Sequence, residues 1–439
     1  MCVVKTLGEE MKIKILLVVL VAIFMNGCSN FTHINLDKIG NIRDIFGSDK
    51  SGWKISQKSE FLAILKTDRY MSICDKQKLY EKVKRNHRSK DMTKMLVAYA
   101  NNLANSCIDL RTFKASQHAR KKQKIETHYS LNQEDVNQTD IVMKLRAGQT
   151  IDNILLPYVP KSKQFSALLS KYRTLIQNGD NPTLARRVRL NIERTKLMPT
   201  HLGENHVFMN IPEFKVRLFE GDKKSIEFRT VVGKTDMQTP VFSSKLQYVM
   251  VNPQWNVPDS ITRKSYIAKM RANPRWLASQ GMELHTSYDL KSPKVNPASV
   301  DWSKYPKTGK GYIPYKIIQK PSMRNSLGRV KFMFPNHFSV YMHDTQSKGL
   351  FNRNVRAYSH GCIRLQKPKV LLDYITTHYT NQSVSTVHKW YNSRKSHILK
   401  VNKKLPVHTA YLTTYVDTDG KLRSFGDIYG FDRTQRLKF

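Results

Sequence analysis

Along the chain the spacing of apolar positions changes twice, and each change marks a boundary. The first block is an unbroken apolar run, Ile15 to Met25, preceded by Lys12 and Lys14. It is shorter than the roughly 20 residues a membrane-spanning helix needs, and it matches the apolar centre of an export signal. Residues 29–57 are polar and poorly periodic, which predicts a tether. From Glu60 to about Ser130 apolar residues recur at three and four, in Phe61, Leu62 and Leu65 and again in Met95, Leu96, Tyr99 and Leu103. That spacing predicts packed amphipathic helices. More helix is predicted over Leu168 to Gln177 and Leu184 to Met198.

Near residue 205 the period drops to two. Val207, Met209 and Ile211 alternate, then Phe214, Val216 and Leu218, and the turn Glu220-Gly221-Asp222 leads into Ile226, Phe228, Thr230 and Val232. This predicts a β-hairpin or meander. Gln247 to Val251 is a further strand candidate. Ser260 to about Gln319 interrupts the alternation, helical at first and then rich in Pro, Gly and Ser. The β pattern resumes over Arg329 to His343 and Val407 to Val416, ending on the turn Asp417-Thr418-Asp419-Gly420. The fold class expected is α+β. A helical scaffold domain over 58–200 precedes a β-rich domain over 201–439, which carries a partly helical capping insertion over 260–319.

Charge narrows the partners. The 439 residues hold 74 Lys and Arg against 34 Asp and Glu, a net +40. Such a charge says nothing about fold but draws a molecule to anionic polymers and surfaces. Between residues 76 and 124, fourteen Lys or Arg are opposed by Glu81, Asp91 and Asp109 alone. A run of that kind reads as a solvated helical face rather than a dedicated binding patch. The export signal argues against nucleic acid and leaves anionic lipid and envelope polymers. Gly27-Cys28 resembles a bacterial lipoprotein processing site, so residues 1–28 are expected to be the signal and Cys28 the lipidated residue that ties the chain to a membrane. A plain secretory signal and an uncleaved anchor are the alternatives.

The cysteines agree with export. With Cys2 and Cys28 set aside, Cys74, Cys107 and Cys362 are left. An oxidising compartment favours pairing two and keeping one for chemistry, so a Cys74–Cys107 disulfide is expected; two buried free thiols are the alternative.

The chemistry concentrates in Lys331 to Pro368. Phe338, Val340 and Met342 alternate with Ser339, Tyr341 and His343, which places Tyr341 and His343 together on one face at a strand's end. Cys362 lies in Ser359-His360-Gly361-Cys362-Ile363-Arg364, where Gly361 permits a tight turn that exposes the thiol. Pro368 then suits the first turn of a helix running to Tyr379, with Val370, Leu371, Tyr374 and Ile375 packed inward. A thiol attacks as its thiolate and needs a base. His343, on a rigid strand end, is better placed for that than His360, which would shape the turn. A structural histidine beside a buried cysteine is the other reading of these residues. A zinc site from His343, His360 and Cys362 lacks a further ligand pair at standard spacing, so neither metal nor cofactor is expected.

These residues closely resemble the L,D-transpeptidases with a YkuD-type catalytic domain, through S-H-G-C-I-R and the upstream H-D-T. The likeness extends to Val207–Phe214, Val231–Ser243, Asn252–Pro258 and Asn325–Asn336, covering roughly 185–435, and is greatest to the larger periplasmic YcbB-like branch with a capping insertion. The resemblance implies that Cys362 attacks the carbonyl of the third residue of a peptidoglycan tetrapeptide stem. His343 would act as general base and then acid. Gly361, with the amide of Cys362, would hold the oxyanion, and Ser359 and His360 would shape the site. Arg364, Tyr341 and Trp255 would bind substrate, although for Trp255 a plain core role fits equally. The acyl-enzyme would pass to an amine of a second stem, giving a 3→3 cross-link in the periplasm of a Gram-negative bacterium. An L,D-carboxypeptidase or endopeptidase would use the same pair with water. A basic wall-binding lipoprotein with a dead site is the non-enzymatic alternative.

Overall fold

The change of period near residue 205 is a change of architecture in the computed structural model, which describes residues 52–179, 181–307 and 312–439. The export signal, Cys28 and all of the tether before residue 52 lie outside the described residues. Before the switch come helices Ile55–Lys66, Gln77–Asn86, Ser89–Asn105, Leu110–Lys122, Gln138–Arg146, Ile151–Leu155, Lys163–Asn178 and Pro182–Lys196. Their apolar stripes meet in one cluster around Phe61, Met95, Leu96, Tyr99, Leu145, Leu168 and Ile192. Side chains that bind otherwise orphaned amides start several of them: Asp109 accepts from Arg111 and Thr112, Ser162 from Phe165 and Asn181 from Leu184.

Helix was expected to run on to about Ser130, but it stops at Lys122. The next residues are extended and bridge to the β-rich part, Glu126 to Met237 and Tyr129 to Val241. Most of the basic block is exposed, including Lys78, Lys82, Lys84, Arg85, Arg88 and Lys90. Arg120 departs from it. Its guanidinium donates to the carbonyls of Tyr429 (2.5 Å) and Gly430 (3.1 Å) and covers the Phe431 ring. The Pro182–Lys196 helix is buried from Val188 onward, charges included. Glu193 there is paired with Arg189 and Lys196 and accepts the amide of Cys107, while Arg194 pairs with Asp432 at 2.8 Å. Buried charges survive only with such partners, so this helix locks the helical part to the chain's C-terminus. Cys74 and Cys107, with Cα atoms 5.7 Å apart, form a disulfide just above that network.

The alternating segments give strands β1 (Asn205–Asn210), β2 (Lys215–Glu220), β3 (Lys223–Gly233) and β4 (Phe242–Val251). After β5 (Trp255–Asn256), β6 (Met282–His285) and β7 (Lys316–Gln319) come β8 (Val330–Met333), β9 (Met342–His343), β10 (Ala357–Ser359), β11 (Ile363–Leu365) and β12 (His397–Ala410). The main sheet runs β10-β3-β11-β9-β8-β4-β12-β1-β2, and a β2–β3 pairing closes it into a ring. β3 achieves closure by changing partner along its length: β2 first, then β11 at Thr230 and Val231, then β10 at Val232 and Gly233. The ring's interior is packed with Val207, Met209, Val249, Phe332, Met342 and Ile363. Helix Pro368–Tyr379 packs on it through Leu371, Leu372 and Ile375, whereas Val370, expected inside, is 46% exposed.

The β pattern expected over Arg329 to His343 is two short strands with a loop between them. Pro335 cannot donate to a ladder, and Asn336 replaces the ladder with its own side chain. Its amide donates to the carbonyls of Phe334 (2.8 Å) and Val340 (2.7 Å), and its oxygen accepts from the amides of Phe338 and Val340. Ser339 turns the loop at φ +56°.

The insertion is a second small core. β5, β6 and β7 form their own sheet, and Trp255, Met270, Leu284, Trp302 and Ile317 fill it. It thus takes in Trp255, ahead of the expected start at residue 260. Asn325, fully buried, ties it to the ring by donating to the carbonyls of Pro253, Gln319 and Lys320. Gly52–Phe439 together form one compact unit.

Candidate active site

Three adjacent strands place the candidate side chains. β8 and β9 are antiparallel with Lys331 opposite His343, and β9 and β11 are parallel with His343 opposite Arg364. Lys331, His343 and Arg364 therefore form one row across the sheet. The next row, Phe332, Met342 and Ile363, is almost wholly buried and faces the ring's interior. Alternation puts Tyr341 on the same face as His343, and the amide of Ile363 donates to the Tyr341 carbonyl at 3.0 Å, so Cys362 emerges beside Tyr341. The thiol lies 3.9 Å from the Ser339 carbonyl.

The turn that presents the thiol is held from both sides. Gly361 adopts φ +108°, which a side chain would strain. The Ser359 hydroxyl donates to the Cys362 carbonyl at 2.5 Å and accepts the amide of Gly361 at 3.2 Å. That second bond occupies the Gly361 amide and removes it from the oxyanion role expected of it; the amide of Cys362 is left as the backbone candidate. From the other side, Thr239 donates to the Gly361 carbonyl at 2.8 Å. His360 lies near the insertion, its Nε2 3.5 Å from the Ser265 hydroxyl.

His343 is 5% exposed. Burial, then the Arg364 guanidinium and Lys331, push its pKa down to about 3, against the opposing pull of backbone hydrogen bonds at Asp344 and Leu327. Its Nδ1 is buried with no hydrogen-bond partner among the described residues. Desolvation likewise raises the Cys362 thiol, although Tyr341, Lys331 and Arg364 each favour its thiolate. The resting pair is thus a neutral thiol and a neutral imidazole. Cations that keep the imidazole uncharged are placed to stabilise the thiolate when it forms.

Aromatic packing links the site to the insertion. Tyr341 packs against the core of the insertion that contains Trp255, it lies close enough to act on the Cys362 thiol, and its ring is 5.6 Å from that of His343. Trp255 thereby belongs to both the core of the insertion and the edge of the site. Arg364 lies close enough to Tyr266 in the insertion to act on it, and its Nε is buried without a partner among the described residues.

Several residues that the motif did not single out complete the site. Lys331 sits with its ammonium 4.0 Å from the centre of the Tyr341 ring. Gly328, at φ +62°, lets its backbone lie against Asp344, where a Cβ would come within 2.3 Å of a carboxylate oxygen. Asp344 accepts the amides of Arg329 (2.9 Å) and Thr345 (2.7 Å), and Asn325 accepts that of Leu327 (2.8 Å). These bonds set the 325–329 loop against the imidazole. The sequence signal for Asn325, Gly328 and Lys331 is the block Asn325–Asn336, and for Asp344 the H-D-T motif itself. Among the described residues no group of three His, Cys, Asp or Glu is placed to hold a metal ion.

Residues 204–391 match the family model of the YkuD L,D-transpeptidase catalytic domain. A curated Haemophilus influenzae protein named "Putative L,D-transpeptidase" is 30% identical over 264 residues, covering 60% of this chain and 51% of its own. The chain thus spans about half the length of that relative. Among solved structures, an L,D-transpeptidase from Mycobacterium smegmatis is 11% identical over 47% of this chain and 58% of its own, with a TM-score of 0.20. L,D-transpeptidase 3 from Mycobacterium tuberculosis is 11% identical over 47% and 60%, with a TM-score of 0.21. The match over residues 204–391 takes in both His343 and Cys362, and in this region the chain is similar to the YkuD L,D-transpeptidase catalytic domains.

Proposed function

We propose that the protein is a peptidoglycan L,D-transpeptidase that forms 3→3 cross-links through a thioester at Cys362. The observation that carries this reading is the neutral pair: a thiol beside Tyr341, and a buried imidazole whose Nδ1 has no partner, in a row with two cations.

The chemistry follows from the positions. His343 takes the thiol proton as the sulfur attacks the carbonyl of the third stem residue, forming the C–S bond and a tetrahedral oxyanion. The Cys362 amide and the Tyr341 hydroxyl are the donors at hand for that oxyanion. As the C–N bond breaks, the imidazolium returns its proton to the departing amine of the fourth residue. The amine of a second stem then attacks the thioester, loses a proton to His343 and expels the thiolate. The insertion, whose core packs against Tyr341, would limit water at the thioester and so favour transfer over hydrolysis.

The envelope setting belongs to the same reading. Export, lipidation at Cys28 and attraction of the basic surface to anionic polymers would place the site against its substrate, and labelled palmitate in the wild type but not in Cys28→Ala tests the anchor. The enzymatic reading is tested by incubating purified protein with disaccharide-tetrapeptide. Cross-linked dimers lost in Cys362→Ala are expected; release of the fourth residue without dimers would indicate the hydrolase, and no change in the substrate would overturn both.

A further inference from the structure

Lys331 has no assigned task, and its surroundings suggest one. It is half-buried on β8, opposite His343, with its ammonium against the face of Tyr341. Among the described residues no carboxylate acts on it; the acidic group within its reach is the Cys362 thiol. Arg364, its counterpart across the row, has the Cys362 thiol and the Tyr266 phenol and no carboxylate either. Two desolvated cations without anions, flanking a nucleophile, form a vacancy for an anion that the ligand must bring.

The strand order indicates which anion each would take. Cys362 stands at the start of β11, the imidazole is on β9 and the lysine on β8, in that order across the sheet. The acyl portion of a substrate must stay bonded to the sulfur at the start of β11, and the leaving amine must face His343 on β9 to be protonated. What hangs from that amine projects onward, over β8. In a peptide whose scissile bond precedes its last residue, that substituent carries the free C-terminal carboxylate, one carbon from the leaving nitrogen.

We propose that Lys331 is the specificity-determining residue that binds the terminal carboxylate of the donor peptide, and so selects stems that end one residue past the attacked carbonyl. This rests on the transpeptidase reading and extends it. The same contact explains how the carboxylate departs: once the C–N bond breaks, it leaves with the amine, and Lys331 is free for the next donor. Arg364 lies nearer the acyl side and toward Tyr266, where it would meet a carboxylate of the third residue.

The experiment compares a tetrapeptide stem with the same stem bearing a C-terminal carboxamide, in wild type, Lys331→Met and Lys331→Arg. Melting curves identify variants that are folded. Wild type is expected to prefer the carboxylate by about tenfold or more in kcat/KM, the effect of one charged hydrogen bond. Lys331→Met should bring the ratio close to one, and Lys331→Arg should restore part of it. Alkylation by neutral iodoacetamide across pH reads the thiol separately. A shifted alkylation profile in Lys331→Met with the carboxylate preference intact would overturn the proposal and leave Lys331 as a modulator of Cys362. Equal use of carboxylate and carboxamide by the wild type would also overturn it, without touching the transpeptidase reading. If wild type used neither stem, the transpeptidase reading itself would fall, and this proposal with it.

Discussion

His343 stands directly opposite Arg364 in the parallel β9–β11 ladder, so an imidazole is fixed beside a guanidinium that cannot lose its charge. Together with burial, this holds His343 at a pKa of about 3 while the Cys362 thiol is raised. The competent form, neutral base and protonated thiol, should then dominate from mildly acidic to mildly alkaline pH. Acylation by a carbapenem, followed as added mass on the intact protein, should change less than about twofold between pH 5 and 8. An ordinary histidine would cost roughly tenfold by pH 5.5. Arg364→Gln removes a cation that adds to burial in depressing the imidazole and should move the acid limb to higher pH.

The same depression lowers acid stability. A histidine whose folded pKa lies below its unfolded value of about 6.5 contributes stability that is full above 6.5 and is lost as pH falls toward the folded value. His343 and His408, the latter held at about 4 chiefly by burial, both act this way. The melting temperature should fall as pH drops from about 6.5 to 4.5. His408→Gln should flatten that slope by about one proton, and an unchanged slope would count against the assignment.

Gly328→Ala tests how the imidazole is oriented. The new Cβ would collide with an Asp344 carboxylate already bound to two backbone amides, and the backbone would have to leave φ +62°. The 325–329 loop would shift away from His343. Acylation should slow by about 10- to 100-fold, the scale of a misplacement near 1 Å, while the fold persists by circular dichroism. Wild-type rates would show that this loop does not orient the base.

Ser359→Ala removes the hydroxyl that both donates to the Cys362 carbonyl and accepts the Gly361 amide. The thiol should still alkylate, but turnover of stems should fall by about tenfold or more, because the nucleophile is less well aimed. Parallel loss of alkylation and turnover would instead mean that the turn has collapsed.

Reducing or removing the Cys74–Cys107 bridge should act on stability rather than chemistry. Closing a loop over a sequence separation of 33 is worth about 3–4 kcal/mol in the chain-entropy model. Cys74→Ala/Cys107→Ala should unfold at lower denaturant yet acylate at the wild-type rate when folded. Alkylation of both cysteines without prior reduction would show that the bridge is absent.

The sequence made parts of this visible for definite reasons. Period-two alternation from Val207 to Val232 showed β1 to β3, because the alternating apolar residues pack into the ring's core. The thiol and its imidazole were legible because few other residues do that work. The loop at Asn336 was not, since an asparagine amide replaces ladder bonds without disturbing the alternation of apolar residues. Lys331 was hidden for another reason: its role depends on standing opposite His343, and strand pairing is not written in local spacing. The occupied amide of Gly361 likewise depends on which way the Ser359 hydroxyl turns. The helices from Gln138 to Leu155 leave no such signal, being two short segments with too few turns to show a period.

The central claim is that Cys362, with His343, transfers an acyl group between stems. Its most direct test is chromatography and mass spectrometry of products after purified protein meets disaccharide-tetrapeptide, with the wild type and Cys362→Ala side by side. The account predicts dimers bearing a 3→3 linkage from the wild type and none from the variant. Undiminished dimer formation by Cys362→Ala would contradict it.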